Sequence, residues 1–260
     1  MIPVDAFILV VGFLFGLTVG SFLNVVIWRL PREESIVFPG SHCPRCNAPI
    51  HWYDNLPLLS WIILGGRCRA CHGEISLRYP LVEAMNGVFL ALYLHHFPMA
   101  QAIAWYIFTA ALIAVFFIDL DHKIIPNAIS LPGLPLGLLA NMYIFSSRWS
   151  EGLVSGALGI LLGGGTLLLV AGGYYLITKR EGMGMGDPKL LAMIGAFCGW
   201  QGVIFTMLIS SMVGTVVGVA WIVLTGKDRR FEIPFGPFLA LGAVSWVWFG
   251  PAAVRWYLGY

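Results

Sequence analysis

Long apolar runs recur through the chain and restrict its fold more than any other feature. Hydrophobic residues occupy 58% of the 260 positions and charged residues only 11%, against about 25% charged in soluble domains. One core cannot bury so many apolar side chains, so the pattern predicts an all-α polytopic membrane protein. We predict about eight transmembrane helices, over residues 5–28, 80–97, 101–118, 127–146, 153–177, 190–201, 203–225 and 235–258.

The sixth of these runs, 190–201, is short enough for a re-entrant or buried segment instead of a full crossing. It is separated from the seventh run by Gly199-Trp200-Gln201-Gly202 alone. These four residues fit either a tight turn or a kink within one longer helix.

The distribution of positive charge predicts the orientation. Arg29 and Arg32 follow the first apolar run, as expected for an uncleaved first helix whose N-terminus lies outside the cytoplasm. This predicts a multi-pass membrane protein, surrounded by membrane lipid. The net charge of +2 is too small to indicate a nucleic-acid partner. Thirteen of the fifteen Lys and Arg residues lie in four predicted cytoplasmic segments, 29–79, 119–126, 178–189 and 226–234.

Two Cys-x-x-Cys pairs lie in the tetra-Cys segment, residues 29–79, which is too small to form a full core of its own. Each pair forms one tight knuckle, and two knuckles can complete a tetrahedral zinc site. Two disulfides are the alternative, but they need an oxidising compartment, whereas this segment is predicted to face the cytoplasm. We therefore predict a zinc-ribbon-like insertion with a closed, structural zinc site, whose ligands are Cys43, Cys46, Cys68 and Cys71.

A glycine-rich segment, EGMGMGDPKL over residues 181–190, precedes another apolar run. Its Asp187 is followed by Pro188, an order typical of a helix start, so this carboxylate is expected at the mouth of a membrane helix. Asp119 ends a different apolar run at the same predicted membrane face. Carboxylates at such depths are costly and usually functional, although Asp119 alone would also fit a helix-end acid facing water. Asp121 is the main rival to Asp119.

Two carboxylates that face one water molecule can hydrolyse a peptide bond. The ionised one accepts a proton from water and the protonated one donates to the carbonyl oxygen. We predict Asp119 and Asp187 as this catalytic pair. Asp187 lies at the start of a helix, where the positive end of the helix dipole favours the ionised carboxylate. Asp119 lies at the end of a helix, where the negative end favours the protonated acid. We therefore predict Asp187 as the base and Asp119 as the acid. The predicted domains are the first transmembrane helix (1–28), the zinc-binding domain (29–79) and the transmembrane aspartyl peptidase domain (80–260).

Glu83 lies at the start of the second predicted span, after Arg78-Tyr79-Pro80. An acid at this depth fits two interpretations equally. It pairs with a nearby arginine, or it contacts a substrate or cofactor.

Several motifs, taken in order, resemble those of the type IV prepilin peptidases, members of the GxGD class of membrane aspartyl proteases. The motifs extend over nearly the whole chain: GSFLNVVIWRLP, the tetra-Cys segment, HWYDNLPLLSW, ISLRYPLVE, IDLDHKIIPN, GMGMGDPKLLAMIGAFCGW and IPFGPFLALGA. The resemblance puts the family's catalytic aspartates on Asp119 and on Asp187 of the GxGD motif. It implies that the chain cleaves the basic leader from prepilins of type IV pili and pseudopilins of type II secretion, at the cytoplasmic face of the cell inner (cytoplasmic) membrane.

Bifunctional members of this family then methylate the new N-terminal residue with S-adenosylmethionine, and the resemblance implies the same second activity here. The sequence assigns no residue to the methyl donor, because it has no Gly-rich turn in a βαβ setting. The cytoplasmic loop near Glu83, with its arginines, is the one suggestion. The sequence gives no indication of an oligomeric state.

Three alternatives stay open. The first is a peptidase that lacks the methyl-transfer step. The second is an ion-coupled membrane transporter, whose paired acids would lie near the middle of the membrane. The third is a non-catalytic assembly factor that docks through its zinc loop.

Overall fold

The computed structural model describes residues 6–179, 184–225 and 234–259. This part of the chain is helical apart from its connections, contains no β-strand, and confirms the predicted all-α membrane architecture. Residues 181–183 of the glycine-rich segment lie outside the described residues. The helices are α1 (Ala6–Arg29), α2 (Leu59–Ile63), α3 (Arg78–His96), α4 (Met99–His122), α5 (Asn127–Ala140), α6 (Trp149–Thr178), α7 (Gly186–Thr225) and α8 (Gly236–Leu258), with a π-helical extension of α5 over Asn141–Phe145 and 3-10 turns over Leu30–Arg32 and Trp52–Asp54.

Six helices of the described chain are long and apolar enough to cross a membrane: α1, α4, α5 with its extension, α6, α7 and α8. The predicted count of about eight differs from this at two places. α3 has 19 residues but is less apolar than these six, because it contains charged and polar side chains. α7 includes both the sixth and the seventh predicted spans, 190–201 and 203–225.

α7 consists of two helical arms that fold back on each other at Gly199. The backbone there has φ 69° and ψ −179°, a conformation that glycine adopts readily and that interrupts the helix. A Cβ added to Gly195 would lie 2.9 Å from Val203 Cγ2, whereas residues eight apart in a straight helix are separated by about 12 Å. Of the two alternatives, the tight turn is therefore confirmed. We name residues 186–198 the first arm and residues 200–225 the second arm.

The chain forms two compact units, Met1–Ala114 and Val115–Tyr260, and the division falls within α4. In the first unit, α1 packs against α3 through glycines: a Cβ on Gly20 would lie 2.6 Å from Glu83 Cα. The end of α1 is also tied to the start of α3 by a hydrogen bond from the Asn24 side chain to a backbone carbonyl. The predicted division into 1–28, 29–79 and 80–260 stays a prediction.

In the second unit, α6 and the first arm of α7 touch backbone to backbone. A Cβ on Gly195 would overlap the Gly159 carbonyl, and a Cβ on Gly163 would overlap the Leu191 carbonyl. Such close contact suits a membrane protein, because lipid tails give helices no hydrophobic drive to associate and packing must supply it.

α8 runs antiparallel to the second arm of α7. The start of α8 therefore lies away from the turn at Gly199, as does the start of the first arm. The contacts that fix this direction join Gly202 to Trp246, Gly242 to Thr206, and Gly214 to Phe238.

Candidate active site and metal centre

The structure brings the two predicted aspartates together in the second unit. Asp119 lies in the last turn of α4 with only 5% of its surface exposed. Asp187 lies in the first turn of α7 and is partly buried. Their carboxylates are close enough to interact electrostatically. Two acids separated by 67 intervening residues therefore share one site.

The turn that carries Asp187 is held against the connection between α4 and α5. A Cβ on Gly186 would lie 2.9 Å from Ile125 Cβ, so only glycine permits this approach. Lys189 Nζ donates a hydrogen bond of 2.9 Å to Asn127 Oδ1 at the start of α5. These contacts join the two sequence motifs that contain the aspartates, and sequence reasoning did not identify them.

Gly236, the first residue of α8, is a further member of the site that sequence reasoning missed. Its backbone N–H donates a hydrogen bond of 2.9 Å to Asp119 Oδ2. A Cβ on Gly236 would lie 2.6 Å from that same oxygen. The available signal was the Gly236-Pro237 pair, because proline in the first turn marks a helix start and a helix start presents free N–H donors.

This hydrogen bond changes the predicted division of roles between the acids. The predicted roles depend only on the helices that carry the carboxylates. In the structure, Asp119 also faces a backbone N–H at the start of α8, and such a donor stabilises an ionised carboxylate. Asp187 meets the start of α7, as predicted. Both acids therefore face a helix start, and the helix-end argument for Asp119 as the acid does not hold.

Asp121, the rival to Asp119, is exposed. Residues two apart on a helix point in directions about 200° apart. Asp121 therefore cannot share the orientation of Asp119 while both belong to α4, and it has an interaction of its own.

The four predicted metal ligands form one cluster in the first unit. One sulfur from each of Cys43, Cys46, Cys68 and Cys71 lies within 4.8 Å of the others, and all four are free thiols. The Sγ atoms of Cys43 and Cys71 are 3.9 Å apart. Tetrahedral zinc with bonds of about 2.3 Å separates its sulfurs by about 3.8 Å, so the cluster fits this ion.

Local backbone geometry prepares these thiols for a cation. Isolated β-bridges, His42 with Pro49 and Arg67 with Glu74, close the chain around each Cys pair. Burial raises the pKa of Cys43, but the backbone N–H groups of Cys46 and Arg45, together with the thiols of Cys68 and Cys46, outweigh it and lower the pKa to about 6.

Cys46 shows the opposite effect. Although the backbone N–H of Ala48 lowers its pKa, lost hydration and the neighbouring thiols raise the pKa to about 11. Sulfurs this close cannot all ionise without a positive ion between them.

Glu83 was predicted to pair with an arginine or to contact a ligand. Only 8% of its surface is exposed, and its Oε2 accepts a hydrogen bond of 2.9 Å from the Leu58 N–H. The Ser21 side chain is its other hydrogen-bond partner. Within the described part of the chain Glu83 forms no ion pair, so the predicted arginine partner is absent there.

Comparisons with known proteins identify the family of the chain. A family model described as the type IV leader peptidase family matches residues 106–219, a range that includes both aspartates. A second model, described as the bacterial peptidase A24 N-terminal domain, matches residues 14–97, which include the four cysteines and Glu83. No solved structure matches the chain.

Three curated relatives match nearly end to end, and each of the three is named prepilin leader peptidase/N-methyltransferase. The relative from Aeromonas salmonicida is 40% identical over 275 residues, which cover 95% of this chain and 92% of the relative. The relative from Pseudomonas aeruginosa is 38% identical, covering 94% and 91%, and that from Legionella pneumophila is 37% identical, covering 97% and 94%. The chain is a member of the type IV leader peptidase family of membrane aspartyl peptidases.

Proposed function

We propose that this protein cleaves the leader peptide from type IV prepilins and type II secretion pseudopilins and then methylates the new N-terminus. The proposal transfers the activities in the relatives' printed name to a chain that aligns with them over nearly its whole length. The observation that carries it is the meeting of Asp119 and Asp187 at one site, within the range of the peptidase family model.

In the proposed cleavage step, Asp119 is the ionised carboxylate, held in that form by the Gly236 N–H. It accepts a proton from the attacking water, and the protonated Asp187 donates to the carbonyl oxygen of the scissile bond. The two carboxyl groups share one proton, because two neighbouring carboxyl groups cannot both ionise without strong repulsion. This assignment reverses the one made from the sequence.

The proposed methyl transfer uses S-adenosylmethionine. When bound, the donor would supply its methyl group to the uncharged terminal amine: the N–C bond forms as the S–C bond breaks, the sulfonium becomes a neutral thioether, and the resulting methylammonium releases a proton to water. The four cysteines would hold zinc as a closed structural site, leaving no position for substrate. We place the protein in the inner membrane. The distribution of Lys and Arg puts the aspartate pair and the four cysteines on its cytoplasmic side in this proposal.

Mass spectrometry of a prepilin incubated with purified enzyme tests the proposal. With wild type we expect loss of the leader, and a methyl increment only when S-adenosylmethionine is present. Asp119→Asn and Asp187→Asn should each reduce cleavage by about 10²- to 10⁴-fold, because each removes one partner in proton transfer.

Asp121→Asn is the matched control, since it removes an exposed carboxylate from the same helix. It should cleave at the wild-type rate. Intact prepilin with folded, zinc-loaded wild type would contradict the proposal, and so would full cleavage by either of the first two variants.

A further inference from the structure

A cavity of about 530 Å³ in the first unit is not used by the aspartate pair. It is bounded by the end of α1, the tetra-Cys segment and the start of α3. Its volume falls within the range of about 300–1,000 Å³ that is typical of small-molecule sites. Val25, Leu64 and Ile75 contribute apolar lining, which suits the burial of an aromatic base.

Two buried, oppositely charged side chains line this cavity. Glu83 is 8% exposed and accepts hydrogen bonds from neutral donors, the Leu58 N–H and Ser21. Arg29 is 6% exposed and donates to the carbonyl oxygens of Ser35 and Gly40, at 3.0 and 3.3 Å. Within the described residues neither forms an ion pair, although a buried charge ordinarily has a charged partner.

Two other charged side chains at the cavity behave differently. Asp54 and Arg69 also line it, but they bond to each other through three hydrogen bonds of 2.6 to 3.1 Å. Their charges are satisfied within the protein. Arg45 and Glu74 line the cavity as well, but both are exposed. The buried charges without a charged partner among the described residues are therefore those of Glu83 and Arg29.

The backbone that contacts Glu83 is strained. Leu58 has φ 60° and ψ −49°, and the next N–H bonds back to the Pro57 carbonyl at 2.7 Å. This is a γ-turn of the rare kind, which costs free energy for a residue with a side chain. Strain of this kind persists where the surroundings impose it and clusters at binding sites. Here it directs the Leu58 N–H to the Glu83 carboxylate.

We propose that this cavity is the S-adenosylmethionine site, with the Glu83 carboxylate facing the positive charge of the donor. This rests on the proposed methyltransferase function. The donor carries a sulfonium, which suits Glu83, and a carboxylate, which suits Arg29. Its adenosine portion suits the apolar lining. Glu83 is a binding residue in this proposal and does not transfer a proton.

Equilibrium binding to the purified full-length enzyme, without prepilin, tests the proposal. Two probes differ by one methyl group and one charge: S-adenosylmethionine, with a sulfonium, and S-adenosylhomocysteine, with a neutral thioether. Glu83→Gln removes the charge and retains an oxygen for the Leu58 N–H. We expect it to weaken binding of the charged probe about tenfold or more, while binding of the neutral probe changes less than about threefold.

Two further variants keep the experiment decisive. Glu34→Gln makes the same change at an exposed position outside the cavity and should bind both probes as wild type does. Glu83→Asp keeps the charge and should retain the preference for the sulfonium. Zinc content and leader cleavage, measured on every variant, report whether the protein is folded.

The outcomes separate this inference from the proposed function. If wild type binds and uses the methyl donor and Glu83→Gln binds both probes unchanged, the cavity assignment is wrong and the methyltransferase function stands. An equal loss for both probes in a folded Glu83→Gln variant also overturns the role of the charge. If wild type neither binds the donor nor methylates prepilin, the methyltransferase function fails, and this inference fails with it.

Discussion

Between the end of α1 and the start of α3, the tetra-Cys segment contains no helix longer than five residues, whereas α6 and α7 have 30 and 40 residues. The segment is held by a cluster of four thiols, two isolated β-bridges and the Asp54–Arg69 pair. The two helices are held by backbone contacts at glycines. The tetra-Cys segment is therefore held together at a few separate points, whereas α6 and α7 are held along a continuous interface.

The solvent of each region explains the difference. A short segment in water buries little apolar surface, so we expect it to depend on a cross-link such as a metal held by its four thiols. Helices in lipid gain nothing from burying apolar side chains against each other, so they depend on close contact between small residues. Each region should therefore be sensitive to a change that the other tolerates.

Loss of the metal is the largest expected effect. Zinc binding contributes about 10–16 kcal/mol to the folding of small zinc-finger peptides. Cys43→Ser should abolish zinc binding and expose the tetra-Cys segment to rapid hydrogen exchange, while exchange in α6 and α7 stays slow. Cys198→Ser is the control, because this cysteine is buried in the first arm, outside the cluster. Full zinc occupancy in Cys43→Ser would contradict the assignment.

A methyl group added between α6 and α7 should destabilise these helices and leave the zinc site intact. In Gly195→Ala the new Cβ meets the Gly159 carbonyl, which is backbone and cannot rotate away. We expect a loss of about 1–3 kcal/mol in the free energy of unfolding, measured by thermal denaturation, with zinc retained.

Gly165→Ala is the matched control within α6, since a Cβ there meets nothing within 4 Å. It should be neutral or slightly stabilising, because alanine favours a helix over glycine. Equal stability of the two variants would show that the interface is looser than the structure indicates.

Gly236→Ala should reduce activity without altering either region's fold. Its Cβ would lie 2.6 Å from Asp119 Oδ2 and must displace the carboxylate. A displacement near 1 Å costs about 10²-fold in rate, so leader cleavage should fall by about that factor. Gly214→Ala is the control, because its nearest contact would be an ordinary 3.5 Å. A wild-type cleavage rate in Gly236→Ala would remove Gly236 from the site.

The Asp54–Arg69 pair should give the smallest effect. The hydrogen bond from Arg69 lowers the pKa of Asp54. The stabilisation is therefore complete above the unfolded pKa of about 3.9 and is lost as pH falls through the lower folded value. Zinc thiolates also protonate in acid, so salt at pH 7 is the cleaner variable. Arg69→Gln should slightly lower the temperature of zinc loss, and 1 M salt should remove the difference from wild type.

Arg67→Gln is the control for this last variant, since Arg67 is exposed and forms no ion pair within the described residues. It should match wild type at both salt concentrations. A difference between Arg69→Gln and wild type that persists in 1 M salt would mean that Arg69 acts through packing and not through charge.

Sequence reasoning succeeded where a signal is local. Long apolar runs predicted the helices to within a few residues, the Cys-x-x-Cys spacing indicated the cluster, and the two helix-end acids lie close to each other as expected. It failed where a contact joins distant residues. Gly236 and Asp119 are 117 positions apart, and Leu58 and Glu83 are 25 apart. Helix ends were visible in the sequence, but which helix end faces which carboxylate depends on how the helices pack.

The turn at Gly199 sets how deep the peptidase chemistry lies. The first arm has 13 residues and the second 26, or about 20 Å and 39 Å of helix. Measured from their shared turn, the second arm extends about 19 Å past the level of Asp187. The hydrocarbon layer is about 30 Å thick. If the turn at Gly199 lies at one boundary of this layer, the other end of the first arm, which carries Asp187, lies about 10 Å inside the opposite boundary. With that placement, Asp187 would lie below the membrane surface, and water would have to enter the layer to reach its carboxylate.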